Sequence, residues 1–105
     1  MTVDEYIYSF DENTSSRLKA IHSLILNHFP DITYRYSYQM IGYFYHKKRI
    51  YIGAFKTHIG IYGGFDPKLA ESIPQIKHKN STFYLSLEGE IPFDEILHIF
   101  SNYLK

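Results

Sequence analysis

The chain has 105 residues, enough for one domain that buries its own core without cross-links. Eleven basic residues balance eleven acidic ones, and a formal net charge of zero speaks against general nucleic-acid binding, which draws on a basic excess. Cysteine is absent, which excludes disulfides, thiolate catalysis, Cys-type zinc sites and Cys-held iron–sulfur clusters, and fits a reducing compartment.

The opening MTVDEYIYSF is acidic and lacks the plan of a signal peptide. No run approaches the roughly eighteen apolar residues of a membrane span, so a soluble cytoplasmic protein is expected. Thr2 and Glu5 have capping-box spacing and predict a short helix to about Ser9 that buries Val3, Tyr6 and Ile7. Asp11 or Asn13 opens a second helix to His28 or Phe29. There Leu18, Ile21, Ile25 and Phe29 recur at helical spacing, Arg17, Lys19 and Ser23 face water, and Pro30 follows. From Ile32 to Tyr62 the pattern turns to β-branched and aromatic residues. Breaks near Gly42, His46-Lys47-Lys48 and Lys56-Thr57 divide it into strands 32–39, 42–46, 49–55 and 58–62, and the short links make an antiparallel meander. Gly63-Gly64 ends the meander, and Asp66-Pro67 starts a short helix over about 67–73. Residues 82–87 alternate as a fifth strand. Pro92 opens a last helix with Phe93, Ile96, Leu97, Phe100 and Leu104 inward. The order α-α-β-β-β-β-α-β-α predicts one α+β domain over residues 1–105. It is a two-layer sandwich, an antiparallel sheet of about five strands with helices on one face.

Aromatic residues reach 18%, all of them the 11 Tyr and 8 Phe. Strand parity sorts them. Ile50, Ile52 and Ala54 oppose Arg49, Tyr51, Gly53 and Phe55; Ile59 and Ile61 oppose His58, Gly60 and Tyr62; Phe83, Leu85 and Leu87 oppose Thr82, Tyr84 and Ser86. The aliphatic sets belong against the helices. The other face then carries Tyr51, Phe55, His58, Tyr62 and Tyr84, where an ordinary solvated face would show Lys, Glu and Thr. Such a face suggests a small-ligand groove, a protein-partner surface or a homodimer contact. In the first strand, Tyr34, Tyr36, Tyr38 and Met40 share a side and read as inward-facing.

The six histidines form no H-x-H or H-E-x-x-H pattern, and His22 and His28 do not share a helical face. His58 reads as a turn or edge residue beside Lys56. Asp4, Glu5, Asp11 and Glu12 crowd the N-terminal helices. Helix capping accounts for them, and the alternative is weak oxygen ligation of a hard cation such as iron. Lys47-Lys48-Arg49 reads as a charged hairpin tip, Gly60-x-x-Gly63-Gly64 lacks the P-loop ending, and no serine sits in a nucleophile elbow. No catalytic constellation appears, so a non-enzymatic protein without a required cofactor is expected.

The stretch Ala54-Phe55-Lys56-Thr57-His58-Ile59-Gly60-Ile61-Tyr62 resembles the A-F-K-x-H-I-G-h-Y signature (h apolar) of the bacterial YdhG-like family. Ser37-Tyr38-Gln39-Met40 resembles its S-Y-G-M-P segment, with Gln39 in place of the usual Gly and Ile41 in place of the Pro. Asp4-Glu5-Tyr6-Ile7, Lys79-Asn80-Ser81-Thr82 and the Pro92 helix fall where the family has counterparts, although Tyr34 stands where it often has an acid. The resemblance implies a YdhG-like α+β domain. It also implies kinship with members described as frataxin-like iron chaperones, so iron delivery is the alternative function. The positions it matches are Tyr38, Met40, Phe55, Lys56, His58, Gly60 and Tyr62.

Overall fold

A computed structural model describes residues 1–71, 73–74, 76–79 and 81–104. Ser72 of the expected short helix and Asn80 of the family-like segment lie outside the described residues. The elements run α1 (Val3–Tyr8), α2 (Glu12–His28), β1 (Thr33–Ser37), β2 (Met40–Tyr45), β3 (Lys48–Ala54), β4 (His58–Tyr62), α3 (Lys68–Glu71), β5 (Ile76–Lys79), β6 (Thr82–Ser86) and α4 (Phe93–Leu104). The strands form one antiparallel sheet of order β1-β2-β3-β4-β6-β5.

The helix starts follow from their caps. Thr2 accepts from the Glu5 backbone N–H, and Glu5 returns the contact to the Thr2 N–H at 2.7 Å, so two orphan donors are satisfied reciprocally. Asp11 caps α2 through the Thr14 N–H. The Ser15 hydroxyl donates to the Ile7 carbonyl at 2.6 Å, tying α2 to the end of α1. The Lys68 N–H donates to the Asp66 carboxylate at the start of α3, and Ile73, the expected last residue of that helix, is not helical. Pro92 precedes α4, whose buried stripe is Ile96, Ile99, Phe100 and Leu104. This corrects the expected inner face: Phe93 is exposed and Leu97 half-buried, because Ile99 and Phe100 rotate the stripe by one position. Arg17, expected in water, is half-buried and donates to the Gly89 carbonyl at 2.7 Å.

The helical layer covers one sheet face. Ile41, Tyr43, Ile50, Ile52, Ala54, Ile59, Ile61, Phe83 and Leu85 point into it and are buried with Leu18, Ile21, Ile25, Ile96 and Phe100. Tyr43 spans the layer boundary, with its ring edge-on to Phe100 at 6.3 Å and its hydroxyl 2.7 Å from His22 Nδ1. Tyr34 and Tyr36 pair with Tyr43 and Ile41 across the ladder, so they share the helix side, as their parity predicts. Tyr34 closes edge-on against His22 at 4.8 Å but stays 45% exposed, because β1 is an edge strand.

Two features depart from the expected topology. A sixth strand, β5, occupies the far edge beside β6. Only Ile76 of Ile76-Lys77-His78-Lys79 is buried, so the segment offers no apolar alternation, although its charges suit an edge that must resist further pairing. The first strand also ends at Ser37, not at residue 39. Tyr38 and Gln39 form a two-residue hairpin turn with φ of 53° and 61°, and Met40 already belongs to β2. Positive φ at both central residues defines a type I′ turn, which normally selects Asn-Gly. Neither Tyr nor Gln is built for it, and each left-handed residue costs about 1–2 kcal/mol. Gln39→Gly is therefore expected to stabilise the domain by up to about 1 kcal/mol, raising the midpoint of thermal unfolding by up to about 4–8 °C. A lower midpoint would contradict this turn.

The His22–Tyr43 pair makes stability pH-dependent. Burial holds the His22 imidazole below its ordinary value, with Asp4 opposing weakly, so the folded chain keeps it neutral. Above about pH 6.5 both states are neutral at this position and no dependence arises. Below it the unfolded chain takes up a proton that the folded chain refuses, so stability falls as pH drops, until the folded imidazole also protonates. Burial also raises the Tyr43 phenol far above its ordinary range, so stability is lost again as pH rises past about 10, where the unfolded phenol ionises. Denaturant unfolding at a series of values from about pH 7.5 down to about pH 5 is expected to show the acid slope, flattened in His22→Gln. An unchanged slope would remove His22 from the account.

Candidate aromatic and cationic sheet face

The ladder register sets which side chains share the face turned away from the helices. Tyr51 pairs with Gly42 and Tyr62; Gly53 with Gly60; Tyr84 with Gly60 and Lys77; His58 with Ser86; Thr82 with Tyr62 and Lys79. Tyr51, Phe55, His58, Tyr62 and Tyr84 therefore lie on one side of the sheet, as strand parity predicts.

Their rings touch in sequence. Phe55 stacks on His58 with centroids 5.1 Å apart and planes 26° from parallel. His58 meets Tyr84 edge-on at 4.9 Å, and Phe55 meets Tyr62 at 6.3 Å. Further along, Tyr51 is edge-on to Phe44 at 6.2 Å and to Tyr38 at 5.5 Å. Between the groups, Met40 lies over Gly53: a Cβ there would come within 2.6 Å of Met40 Cγ. Tyr62 likewise lies down over Gly60, whose Cβ would sit 2.8 Å from the Tyr62 ring and hydroxyl. Glycine at the sheet centre thus lets side chains recline on the backbone, and the face becomes a low floor of ring surface. Phe55 is 42% exposed, and Tyr51, Tyr62 and Tyr84 are half-buried, each against a neighbouring ring: Phe44 and Tyr38 for Tyr51, Phe55 for Tyr62 and His58 for Tyr84. Burial raises the Tyr62 phenol above its usual value, and the neighbouring Tyr84 adds to this.

Two residues change sides relative to expectation. The turn at Tyr38–Gln39 reverses the chain two residues earlier than the apparent break at Gly42. Tyr38 and Met40 therefore leave the inward row of Tyr34 and Tyr36 and join the outer face, Tyr38 against Tyr51 and Met40 over Gly53. Tyr38 is 77% exposed. A large ring displayed from a strained turn is the kind of feature that working surfaces retain.

Two concavities of about 620 Å³ each flank the Phe55–His58 stack. One is lined by Thr57, His58, Pro74, Lys77, Tyr84 and Ser86. The other is lined by Tyr6, Phe10, Tyr36, Tyr38, Met40, Phe55 and Tyr62, where α1 meets the sheet end; there the Ala54 N–H donates to the Tyr6 hydroxyl at 3.1 Å. Lys56 is exposed in the short link between β3 and β4, and the Thr57 hydroxyl sits 3.1 Å from His58 Nδ1.

The register also assigns Phe44, Arg35, Arg49, Lys77 and Lys79 to this face. The Arg35 guanidinium lies over the Phe44 ring at 4.5 Å. The signal that finds them is local charge. From Thr33 to Tyr62 the sequence contains Arg35, Lys47, Lys48, Arg49 and Lys56, and from Ile76 to Ser86 it adds Lys77 and Lys79, with no Asp or Glu in either span. The balanced total hides a basic sheet set against acidic helices and loops.

The four N-terminal acids do not gather into one site. Glu5 and Asp11 are engaged as cap acceptors, which lowers both carboxyls through their hydrogen bonds to Thr2 and Thr14. Asp4 and Glu12 stand exposed in the first turns of α1 and α2. Among the described residues no three His, Asp or Glu converge as metal ligands, and no helix is long and apolar enough to cross a membrane. Comparisons with protein-family models, with curated proteins and with solved structures returned no match.

Proposed function

We propose that this is a small non-enzymatic binding domain whose outer sheet face, centred on Tyr51, Phe55, His58, Tyr62 and Tyr84, receives a ligand or partner. One observation carries the reading. The helices sit on one side of the sheet, while the centre of the other side presents two neighbouring groups of rings, Tyr62-Phe55-His58-Tyr84 and Tyr38-Tyr51-Phe44, where a solvated face would carry polar side chains throughout. Exposed aromatic surface costs solvation free energy, and a recognition role explains its presence. The Cys-free sequence supports a reducing, cytoplasmic setting, and the likeness of Ala54–Tyr62 to the YdhG-like signature falls on this same face. Iron carriage, the alternative that likeness implies, would draw on Asp4, Glu5, Asp11 and Glu12, and no observation favours it over capping.

Covalent footprinting of the tyrosines in the unliganded chain, paired with light scattering, tests the open face. Tyr38, Tyr51, Tyr62 and Tyr84 are expected to label readily in a monomer while Tyr43 and Tyr6 stay protected. A dimer that shields the first four would show that the face is an interface between copies.

A further inference from the structure

We infer that the ligand class of this face is single-stranded nucleic acid; this rests on the proposal that the face is an open binding surface. Three properties of the face converge on that chemistry. The first is ring surface laid along the sheet. Tyr62 reclines over Gly60, Phe55 stacks with His58, and Tyr51 and Tyr84 extend the floor on either side. Bases of any sequence stack on such π-faces once they are unpaired.

The second is charge of one sign. Arg35, Arg49, Lys77 and Lys79 belong to the face by register, and Lys56 stands at its rim. Among the described residues no strand of the sheet contributes a carboxylate. Arg35 lies on the edge strand β1 and over Phe44, Lys77 and Lys79 lie on the opposite edge strand β5, and Arg49 pairs with Phe44 at the start of β3, while Tyr51, Tyr62 and Tyr84 stand on the strands between the two edges. A small neutral aromatic ligand has no use for flanking cations, and an acidic peptide has none for a floor of rings. A flexible chain of flat groups joined by phosphates uses both.

The third is dimension. Six strands spaced about 4.8 Å apart make the face roughly 24 Å across, comparable to the site of about four or more nucleotides that one compact domain covers. The low floor also suits splayed single-stranded bases better than the edges of a duplex, which require an element that enters a groove.

The test is fluorescence anisotropy of the full chain with labelled oligothymidylate and oligouridylate of about ten nucleotides, which separate a DNA source from an RNA source. Saturable binding is expected to at least one of them. With about four phosphates neutralised, log K should fall against log salt with a slope of roughly −3, so affinity drops on the order of fiftyfold between about 50 and 200 mM salt. Tyr51→Leu and Tyr62→Leu, which keep apolar bulk but remove the ring, should each weaken binding about tenfold or more. Lys77→Ala with Lys79→Ala should flatten the salt slope by about 1.5. Absence of binding to either strand at low salt, equal displacement by polyglutamate or by duplex of the same length, or indifference to the Leu variants would each overturn the inference. Tyrosine footprinting of the free chain separates the two levels. If the face labels and no strand binds, only the ligand class falls; if the face is shielded in a dimer, the open-face proposal falls with it.

Discussion

Phe100→Ala is expected to destabilise the domain by about 3–5 kcal/mol, enough to leave it marginal or unfolded, because small domains carry only about 5–15 kcal/mol. Phe100 is fully buried on α4. Its ring meets Tyr43 and Phe29, each at 6.3 Å, and so joins the helical layer to the sheet. Truncation loses its transfer free energy and leaves a cavity that the stiff isoleucines of the surrounding core fill poorly. Phe55→Ala changes the same residue type on the opposite side of the same sheet. Phe55 already meets water and fills no enclosed space, so its loss should cost less than about 1 kcal/mol. Chemical denaturation of the two variants measures the difference between a packing face and a working face. Comparable losses would mean that the outer face is also structural.

The second large effect is on binding. Tyr51→Leu combined with Tyr62→Leu is expected to reduce affinity for a short single strand about a hundredfold or more, from about 1–3 kcal/mol of stacking per base. The two rings sit on adjacent strands, paired by register, and Tyr62 rests on Gly60. Leucine preserves apolar cover over the backbone, so thermal stability should move by no more than about 1 kcal/mol. Loss of binding with an intact melting transition assigns the rings to recognition. Parallel loss of both would assign them to the fold.

The legibility of this molecule divides along physical lines. Caps are local, so Thr2, Glu5, Asp11 and Asp66 announced the helix starts that the structure contains. Period-two alternation was equally plain in β3, β4 and β6, and it alone separated Ile50, Ile52, Ile59 and Ile61 from Tyr51, His58 and Tyr62. The β1–β2 register was hidden because Tyr-Gln carries no turn signal: it takes a left-handed conformation normally reserved for Gly or Asn, while the more familiar breaker, Gly42, sits inside β2. That one displacement moved Tyr38 and Met40 to the wrong side. β5 was hidden because a charged edge strand with one buried residue lacks alternation. The basic character of the outer face was hidden by summation. The eleven acids lie outside the sheet strands and cancel its cations in the total, so the net charge describes no single surface.

The most direct measurement of the central claim is a map of amide and aromatic chemical shifts as the isotope-labelled chain is titrated with a short single strand. Perturbation is expected at Phe44, Tyr51, Phe55, His58, Tyr62 and Tyr84, with Leu18, Ile25 and Phe100 beneath the helices left in place. Shifts concentrated on the helical layer, or an outer face that does not respond, would contradict the account.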